Sequence, residues 1–503
     1  MGKKSKSRKI VLIMTDTQRT DYVGCYTDKE VFTPNLDSLA ENGIRFDRAY
    51  CTQPVCGPTR AAIFTGEYPH INGSWGNSMA LNQQVKTIGE RLQDKGLHTA
   101  YVGKWHLDGG DYFGYGECPE GWDPEYWYDM RNYLEELSPE DRKRSRDPAT
   151  IFENDFGRDM TYGHRVSNRA LKFLEENGED DFFLVVSYDE PHHPYVCPQE
   201  YVDMYQDYKF PLSENVTDSL EDKPAHQKAW AGDSLNQDHT SLQKNGIDIS
   251  QSLGCNSFVD DEIGRVIGAI DEYAPDALVI YLSDHGEALN NHRINSKGAA
   301  MYEEITRVPF IVRWPGVTPA GASCKHPVSH IDLAPTIMEV AGYDIPNPLQ
   351  GNSFLKTLEN PEEKVQDEIF MEFHRYEIDH DGFGGFQPIR CVFDGRYKLV
   401  INLMTEDELY DLKEDPQEMN NLITAEDYIE IRNKLHDRLL NWMNETRDPF
   451  RGYYWERRPW RDDARQPSWD YTGMTRQRKP DTGEKRQLDY NTGLEVEKFT
   501  REK

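Results

Sequence analysis

Ile10-Val11-Leu12-Ile13-Met14 is a continuous apolar run that leads into a polar cluster beginning at Asp16. A short run of this kind is typical of a strand buried on both faces, as in a parallel sheet. Three later segments repeat the pattern of an apolar run followed closely by polar residues. They are Thr99 to Gly103 before Lys104-Trp105-His106, Asp181 to Tyr188 before Asp189-Glu190-Pro191-His192-His193, and Ala277 to Ser283 before Asp284-His285-Gly286-Glu287.

Helical patterns lie between and beside these apolar runs. They cover Thr33 to Asn42, Lys86 to Lys95, Tyr162 to Asn177 and Ser257 to Tyr273. Strands that alternate with helices predict an α/β fold with a large, mostly parallel sheet flanked by helices on both faces. Because ligands bind beyond the carboxyl ends of parallel strands, the polar clusters are expected to converge on one crevice.

The length of 503 residues favours one large domain and a smaller one. We predict a catalytic α/β domain over residues 1–365 and a small C-terminal α+β unit over 366–445. The second unit contains strand patterns at Glu368 to Phe373, Ile389 to Phe393 and Lys398 to Ile401, and a helical pattern at Glu426 to Asn444. Residues 446–503 have no period and are expected to form an extended arm or tail.

The net charge of the chain disfavours some classes of binding partner. There are 57 Lys and Arg against 88 Asp and Glu, so the net charge is −31, which disfavours nucleic acid and anionic membranes as partners. No segment approaches the length of a membrane span, and Asp16 interrupts the first apolar run before a signal sequence could form. The eight cysteines are scattered rather than arranged as a disulfide framework. These features predict a cytoplasmic protein.

Cys56-Gly57-Pro58-Thr59-Arg60 is the segment most suggestive of chemistry. It places a Cys at the start of a helix and an Arg one turn later, where backbone N–H groups and a guanidinium favour an anion. A single Cys is more often a small apolar core residue. Two carboxylates meeting in the crevice, Asp16 and Asp284, would repel each other unless a cation lay between them, although each can also serve a turn or helix cap.

Together these motifs resemble the sulfatase family of the alkaline-phosphatase-like superfamily. The resemblance rests on C-x-P-x-R at 56–60, G-K-W-H at 103–106, P-H-x-P at 191–194 and Asp284-His285-Gly286 followed by Lys297, and it extends from about Ile10 to Leu422. It implies that a formylglycine-generating enzyme or an anaerobic sulfatase-maturating enzyme oxidises Cys56 to Cα-formylglycine.

The resemblance also implies one Ca²⁺ per chain and a set of catalytic roles. Asp16, Asp284, His285 and the modified Cys56 would bind the ion. Thr17 stands where the family usually has a second Asp and is a further candidate ligand through its neutral hydroxyl oxygen, and His285 stands where many members have Asn. Arg60 would hold the aldehyde hydrate. Lys104, His106, His192 and Lys297 would surround the sulfate, with His106 as the base that regenerates the aldehyde and His192 as the acid that protonates the leaving alcohol.

The expected activity is hydrolysis of a sulfate ester on a small sulfated mono- or oligosaccharide of glycosaminoglycan type. Asn77, His374 and Arg390 are predicted substrate contacts, and Trp122, Trp127 and His380 are further candidates for the outer pocket. One alternative is a phosphonate monoester or phosphodiester hydrolase of the same superfamily, in which Tyr and Thr tend to replace Lys104 and His106. Another is a binding protein without catalysis, which the intact C-x-P-x-R segment disfavours.

Overall fold

The computed structural model describes residues 8–77, 79–153, 155–377 and 385–464, together with two short strands further on. The strands are β1 Lys9–Thr15, β2 Ile44–Phe46, β3 Ala49–Tyr50, β4 His98–Gly103, β5 Phe182–Ser187, β6 Leu278–Ser283, β7 Arg307–Val308, β8 Phe310–Arg313, β9 Ala322–Cys324, β10 Val328–Ser329, β11 Ile369–Phe373, β12 Ile389–Phe393, β13 Tyr397–Asn402, β14 Glu408–Asp411, β15 Gly483–Glu484 and β16 Lys498–Phe499.

Helices cover both faces of the main sheet and fill the connections. They are α1 Pro34–Glu41, α2 Cys56–Thr65, α3 Pro69–Asn72, α4 Ile88–Gln93, α5 Met130–Glu136, α6 Pro139–Arg144, α7 Tyr162–Asn177, α8 Gln199–Asp203, α9 Ala225–Ala231, α10 Thr240–Asn245, α11 Ser250–Tyr273, α12 Glu303–Thr306, α13 Leu333–Val340, α14 Leu355–Glu359, α15 Ile429–Glu445 and α16 Tyr453–Glu456. None of the described helices combines the length and the apolar character needed to cross a membrane.

The main sheet has seven strands in the order β4-β5-β1-β6-β8-β2-β9. Strands β4, β5, β1 and β6 are parallel, and β8 is antiparallel to β6. Their register aligns the carboxyl ends, because Ser187 pairs with both Gly103 and Met14, while Thr15 pairs with Ser283. The prediction of a mostly parallel, helix-covered sheet is confirmed, and the four polar clusters emerge from one edge of it.

Strand β1 is apolar throughout because each of its faces contributes to a different core. Ile10, Leu12 and Met14 pack in the core beneath α2, α4 and α13, whereas Val11 and Ile13 pack in the core beneath α1, α7 and α11. Successive side chains of a strand point to opposite faces, so a strand between two helical layers has no polar face.

Helix α11 begins at Ser250, seven residues before the predicted start at Ser257. Its first two turns carry buried polar residues that interrupt the apolar period. Asn256, for example, accepts a hydrogen bond from Gln18 Nε2 at 2.7 Å and donates one to the carbonyl of Tyr22 at 2.8 Å. These bonds tie the helix to the loop after β1. The other three predicted helices correspond to α1, α4 and α7.

The C-terminal sheet is antiparallel, with the order β11-β12-β13-β14, and α15 packs on it. Its fourth strand, Glu408–Asp411, was not among the predicted strands. Beyond α15, Trp455 is 1% exposed and packs in the same core, and Arg458 Nε donates to Asp407 at 2.7 Å. Most of the predicted arm beyond residue 464 lies outside the described residues, and the domain boundaries remain predictions.

Trp455 should therefore contribute strongly to stability. We expect Trp455→Ala to lower the free energy of unfolding by about 3 to 5 kcal/mol, since the substitution leaves a large cavity. The matched control is the neighbouring Tyr454, which is 62% exposed and whose replacement by Ala should cost less than about 0.5 kcal/mol. Urea unfolding of both variants provides the measurement. Equal effects of the two substitutions would contradict the packing of this segment.

Candidate active site

Cys56 is the first residue of α2, a helix whose ten residues are all buried. The preceding residue, Val55, has extended backbone angles, so the helix starts abruptly at the end of a loop. The amide of Gly57, one of the orphan N–H groups of the first turn, donates to Asn77 Oδ1 at 2.9 Å. The loop around Asn77 thus anchors the helix start at the carboxyl edge of the sheet.

The carboxyl edge brings together four potential metal ligands. Asp16 follows β1, Asp284 and His285 follow β6, and Cys56 comes from α2; one ligand atom from each lies within 4.8 Å of the others. All four residues are buried, with exposures of 0% or 1%. The sequence placed them on separate segments, and the aligned strand ends make them neighbours.

The two oxygens of each carboxylate in this cluster face different partners. Arg60 donates to Oδ2 of Asp284 at 3.0 Å and to Oδ2 of Asp16 at 3.2 Å, and Lys104 Nζ lies 2.8 Å from Asp16 Oδ2. The Oδ1 atom of Asp16 lies on the side of Cys56, 3.7 Å from its Sγ. The protein's own cations therefore bind one oxygen of each carboxylate and leave the Oδ1 atoms facing the cluster.

His285 presents an unprotonated nitrogen to the same point. Its Nδ1 lies 2.9 Å from the carbonyl of Gly286 and so carries the proton, while Nε2 lies 3.1 Å from Cys56 Sγ. Burial and the charge of Lys297 lower the pKa of His285 to about 3. A neutral imidazole whose other nitrogen is fixed by a carbonyl is a good metal ligand.

The pKa values of Asp16 and Asp284 indicate that the two carboxylates would be stabilised by a cation. Burial and the charge of Asp16 raise the pKa of Asp284 to about 7. Burial would also raise the pKa of Asp16, but Lys104 and other cations bring it well below its ordinary value. A divalent cation at the Oδ1 atoms would favour ionisation of both groups, and carboxylate oxygens suit a hard ion. The donor set therefore fits the predicted calcium site.

Thr17 lies beside the cluster with its polar atoms already engaged. Its amide donates to Asp284 Oδ1 at 3.1 Å, and its hydroxyl donates to Asp16 Oδ1 at 2.6 Å. Lys297 Nζ is 3.2 Å from the same hydroxyl oxygen. The backbone of Thr17 is left-handed, with φ of 60°. In this arrangement Thr17 orients the two carboxylates.

A group of cations and imidazoles borders the cluster on its more open side. Lys104 Nζ is held by Asp16 and by Asp189, whose Oδ1 lies 2.9 Å away. Lys297 Nζ lies 3.1 Å from His192 Nε2. Burial and the charge of Lys297 hold the pKa of His192 well below its ordinary value. Two lysine ammonium groups next to a half-buried imidazole favour the binding of a small oxyanion.

His106 adjoins this group in a strained conformation. Its φ is 60°, and in the described part of the chain its buried Nδ1 has no hydrogen-bond partner. Burial and the charge of Lys104 lower its pKa to about 3, so the ring is neutral. A neutral imidazole with an unpartnered nitrogen is available to accept a proton.

Two residues of the site received no role from the sequence. Asp189 accepts hydrogen bonds from Lys104 and from the hydroxyl of Tyr112, and that hydroxyl lies 3.0 Å from His192 Nδ1. Asp189 directly follows a predicted strand, so its position carried a signal. Tyr112 lies in an irregular loop between β4 and α5, where no periodic pattern identifies it.

His374 and Arg390 belong to a separate buried network. Arg390 Nε donates to Asp448 at 2.6 Å and Arg390 Nη2 lies 2.9 Å from His374 Nε2, while His374 Nδ1 lies 3.3 Å from Gln53 Oε1. Both side chains are 0% exposed. Their polar atoms are engaged within the protein, so we do not propose them as substrate contacts.

The two tryptophans predicted for the outer pocket pack inside the protein. Trp122 is 2% exposed and belongs to the core, and Trp127 packs against it. His380 lies outside the described residues.

The α/β fold thus places a buried acidic cluster beside lysines and imidazoles at one edge of its main sheet. The family model for sulfatases matches residues 8–343, and that for the C-terminal part of N-sulphoglucosamine sulphohydrolase matches residues 291–445. The chain belongs to the sulfatase family, within the alkaline-phosphatase-like superfamily, and is a sulfuric ester hydrolase.

Several known proteins are similar over most of the chain. An uncharacterized sulfatase of Escherichia coli K12, YidJ, is 45% identical over 97% of both chains. An N-acetylglucosamine-6-O-sulfatase of Bacteroides thetaiotaomicron is 25% identical over 89% of this chain and 87% of its own. A phosphonate monoester hydrolase of Agrobacterium radiobacter shares the fold, with a TM-score of 0.73, 23% identity and coverage of 87% of this chain and 96% of its own.

The cluster should bind calcium measurably. Calcium added to metal-free protein should stabilise it by about 2.7 kcal/mol at one hundred times the Kd, and Asp284→Asn should remove most of this effect. Asp260→Asn is the matched control, because Asp260 is a buried carboxylate that holds the start of α1 elsewhere in the molecule. Thermal unfolding with and without calcium is the measurement. Equal stabilisation of the Asp284 variant and the wild type would rule out this site.

Proposed function

We propose that the protein hydrolyses the sulfate ester of a sulfated mono- or oligosaccharide, with Cys56 oxidised to Cα-formylglycine and one Ca²⁺ as cofactor. The observation that carries this proposal is the convergence of Cys56, Asp16, Asp284 and His285 within 4.8 Å. The names of relatives support the choice of sugar: one is an N-acetylglucosamine-6-O-sulfatase and another, 28% identical, is an ulvan-active sulfatase. A structural neighbour, with a TM-score of 0.70 and 23% identity over 88% of this chain and 99% of its own, was solved with its substrate D-glucosamine-2-N,6-O-disulfate.

The unmodified thiol is poorly suited to this chemistry. Burial and the charge of Asp16 raise the pKa of Cys56 to about 12, so little thiolate exists at neutral pH. Attack by a thiolate would also leave a sulfonate on sulfur with no easy exit. A hydrated aldehyde has two hydroxyl groups, one to attack and one to expel the product. A formylglycine-generating or anaerobic maturating enzyme is the partner that supplies the oxidation.

The residues around the cluster have different roles in the proposed reaction. One hydroxyl of the hydrate gives its proton to Asp284 and attacks sulfur, the bond from sulfur to the ester oxygen breaks, and His192 gives a proton to the departing alcohol. The second hydroxyl then loses its proton to His106, the carbon–oxygen bond to sulfate breaks, and the aldehyde returns. Water hydrates it again. Lys104 and Lys297 complement the charge on the sulfate oxygens, and Asn77 borders them beside Gly57.

We expect His192 to become protonated only when substrate is bound. In the free protein, burial and Lys297 keep the imidazole neutral. A sulfate ester bound at Lys297 adds negative charge beside the ring and offsets the effect of the lysine, which favours the protonated form. His192 Nδ1 faces the carbonyl of His193 at 2.7 Å, so Nε2 is the atom that faces Lys297 and the substrate.

Bound Ca²⁺ would be held by Asp16, Asp284, His285 and the modified Cys56, and it would lower the pKa of a coordinated hydroxyl. Arg60 contributes indirectly. Its four hydrogen bonds go to Asp16, Asp284, Ser187 and the carbonyl of Lys104, so it positions the carboxylates instead of reaching the hydrate.

In the described part of the chain, none of the eight cysteines is paired in a disulfide, which is typical of a reducing compartment. On this basis we place the enzyme in the cytoplasm. Its substrates there would be short saccharides, since a net charge of −31 repels long sulfated polymers.

The nucleophile can be tested directly. Cys56→Ala should reduce kcat by a factor on the order of 10⁴ or more, because it removes the covalent step. Mass spectrometry of the Cys56 peptide from active protein should show that the thiol-bearing Cβ of Cys56 has become an aldehyde. Cys118→Ala, at a half-buried cysteine outside the site, is the matched control and should keep wild-type turnover. Substantial activity of the Cys56 variant would refute the mechanism.

The alternative activity, phosphonate monoester hydrolysis, is raised by the structural neighbour from Agrobacterium radiobacter. The positions of Lys104 and His106 favour sulfate, because phosphonate hydrolases tend to carry Tyr and Thr there. We expect an aryl sulfate to be cleaved with a higher kcat/KM than the matching aryl phosphonate monoester. The double variant Lys104→Tyr, His106→Thr should narrow this difference. The opposite ranking in the wild type would favour the phosphonate hydrolase.

A further inference from the structure

In the described part of the chain, the site has a buried base and a more exposed side, which we call its opening. Its base is buried, since Asp16, Asp284 and His285 are each 0% exposed. Exposure rises toward Tyr112 and the adjacent His192 and His193, of which His193 is exposed. A sulfate bound at the base can therefore place the rest of its sugar near this opening.

Arg146 lies at the opening, in the turn that follows α6. Its guanidinium carbon is 5.6 Å from the ring centroid of Tyr112 and 5.2 Å from that of Phe113, and its side chain is 29% exposed. The ring of Tyr112 also packs against His192, with centroids 5.3 Å apart. Arg146 is thus one aromatic ring away from the proposed acid.

The charge of Arg146 is incompletely balanced. Its nearest carboxylate oxygen, Asp189 Oδ2, is 3.8 Å away, beyond hydrogen-bond distance. Asp189 is also the partner of Lys104 and accepts a hydrogen bond from the hydroxyl of Tyr112. One carboxylate therefore serves two cations, and in the described residues the guanidinium makes no hydrogen bond to a protein acceptor.

A guanidinium stacked on aromatic rings is held in place while its N–H groups stay available. Such a group binds a carboxylate or a sulfate through two parallel hydrogen bonds. In a protein with a net charge of −31, a second anionic group on the substrate is repelled by the overall field and needs a local cation to be accepted. Arg146 is suitably placed to provide it.

We infer that Arg146 forms a subsite for a second anionic group, a carboxylate or a further sulfate, on the saccharide whose sulfate ester is cleaved. The inference rests on the proposed function and makes it more specific: the substrate class is sugars that carry at least two negative groups. Arg146 selects among sulfated sugars and takes no part in bond cleavage.

Matched pairs of sulfated saccharides test the subsite. The two members of a pair carry the same scissile sulfate, and one member has a further sulfate or carboxylate in place of a neutral group. An example is N-acetylglucosamine 6-sulfate with glucosamine 2-N,6-O-disulfate, in which an N-sulfate replaces the N-acetyl group. Wild-type enzyme should prefer the doubly anionic member of at least one pair. Arg146→Ala should lower kcat/KM for that member by about 10- to 100-fold, mainly through KM, and clearly less for its partner. Pairs with an added sulfate and pairs with an added carboxylate show which group is bound.

Two further variants separate a subsite from a structural or long-range effect. Arg146→Lys keeps the charge without the two parallel bonds and should give an intermediate preference. Arg142→Ala removes an equal charge from an exposed side chain four residues earlier. This variant should keep the wild-type ratio of kcat/KM between the two members of each pair. Thermal unfolding confirms that each variant is folded.

An equal loss of kcat/KM for both members of every pair in Arg146→Ala would overturn the inference, because Arg146 would then act only as a partner of Asp189. The absence of any preference in the wild type would overturn it as well, while leaving the sulfatase proposal intact. Failure to cleave any sugar sulfate would instead refute the proposed function itself.

Discussion

The guanidinium of Arg60 joins the ends of all four parallel strands of the main sheet. It donates to Asp16 after β1, to Asp284 after β6, to the carbonyl of Lys104 after β4 and to Ser187 at the end of β5. Because Arg60 is one turn after Cys56, the same contacts fix the start of α2 against the sheet. Removing one member of a buried ion pair typically costs 3 to 5 kcal/mol, since the remaining charges stay buried without a partner. The geometry of the site depends on this residue.

Arg60 also determines how the carboxylates can be used. By binding the Oδ2 atoms, it leaves the Oδ1 atoms of Asp16 and Asp284 directed at Cys56 and His285. The cluster therefore has an outer ring of protein cations and an inner set of oxygens that no cation of the described residues binds directly, although Thr17 donates hydrogen bonds to both. Lys104 continues the outer ring toward the opening, where it and Lys297 face the position proposed for sulfate. The same group of charged side chains can thus bind the proposed calcium ion on one side and the proposed sulfate on the other.

Backbone strain concentrates at the same edge of the sheet. Non-glycine residues with left-handed backbones include Thr17 and His106, and a run of them precedes Lys297: Leu289, Asn290, His292, Arg293 and Ser296. Such conformations cost of order 1 to 3 kcal/mol each and persist only where surrounding contacts hold them. Here His292 is held by Asp218 at 2.8 Å, and Asn291 donates to Glu304 at 3.0 Å. This stored strain fits a loop that must deliver a lysine to one point.

The residues at strand ends could be predicted from the sequence pattern, and the loop residue Lys297 through the family motif, whereas Tyr112 and Arg146 on irregular segments could not. Apolar runs buried on both faces located β1, β4, β5 and β6, and parallel strands must end at a common edge, so Asp16, Lys104, His192 and Asp284 were predictable neighbours. The motif at 56–60 likewise marked the start of α2. The early start of α11 was missed because hydrogen bonds bury its polar residues, which no apolar period reveals. Tyr112 and Arg146 meet His192 and Asp189 only through the folding of irregular segments, and His374 and Arg390 proved to be engaged in a buried network. Periodicity reports which face of an element is buried, whereas the partner of a polar side chain is set by distances that exist only in the tertiary structure.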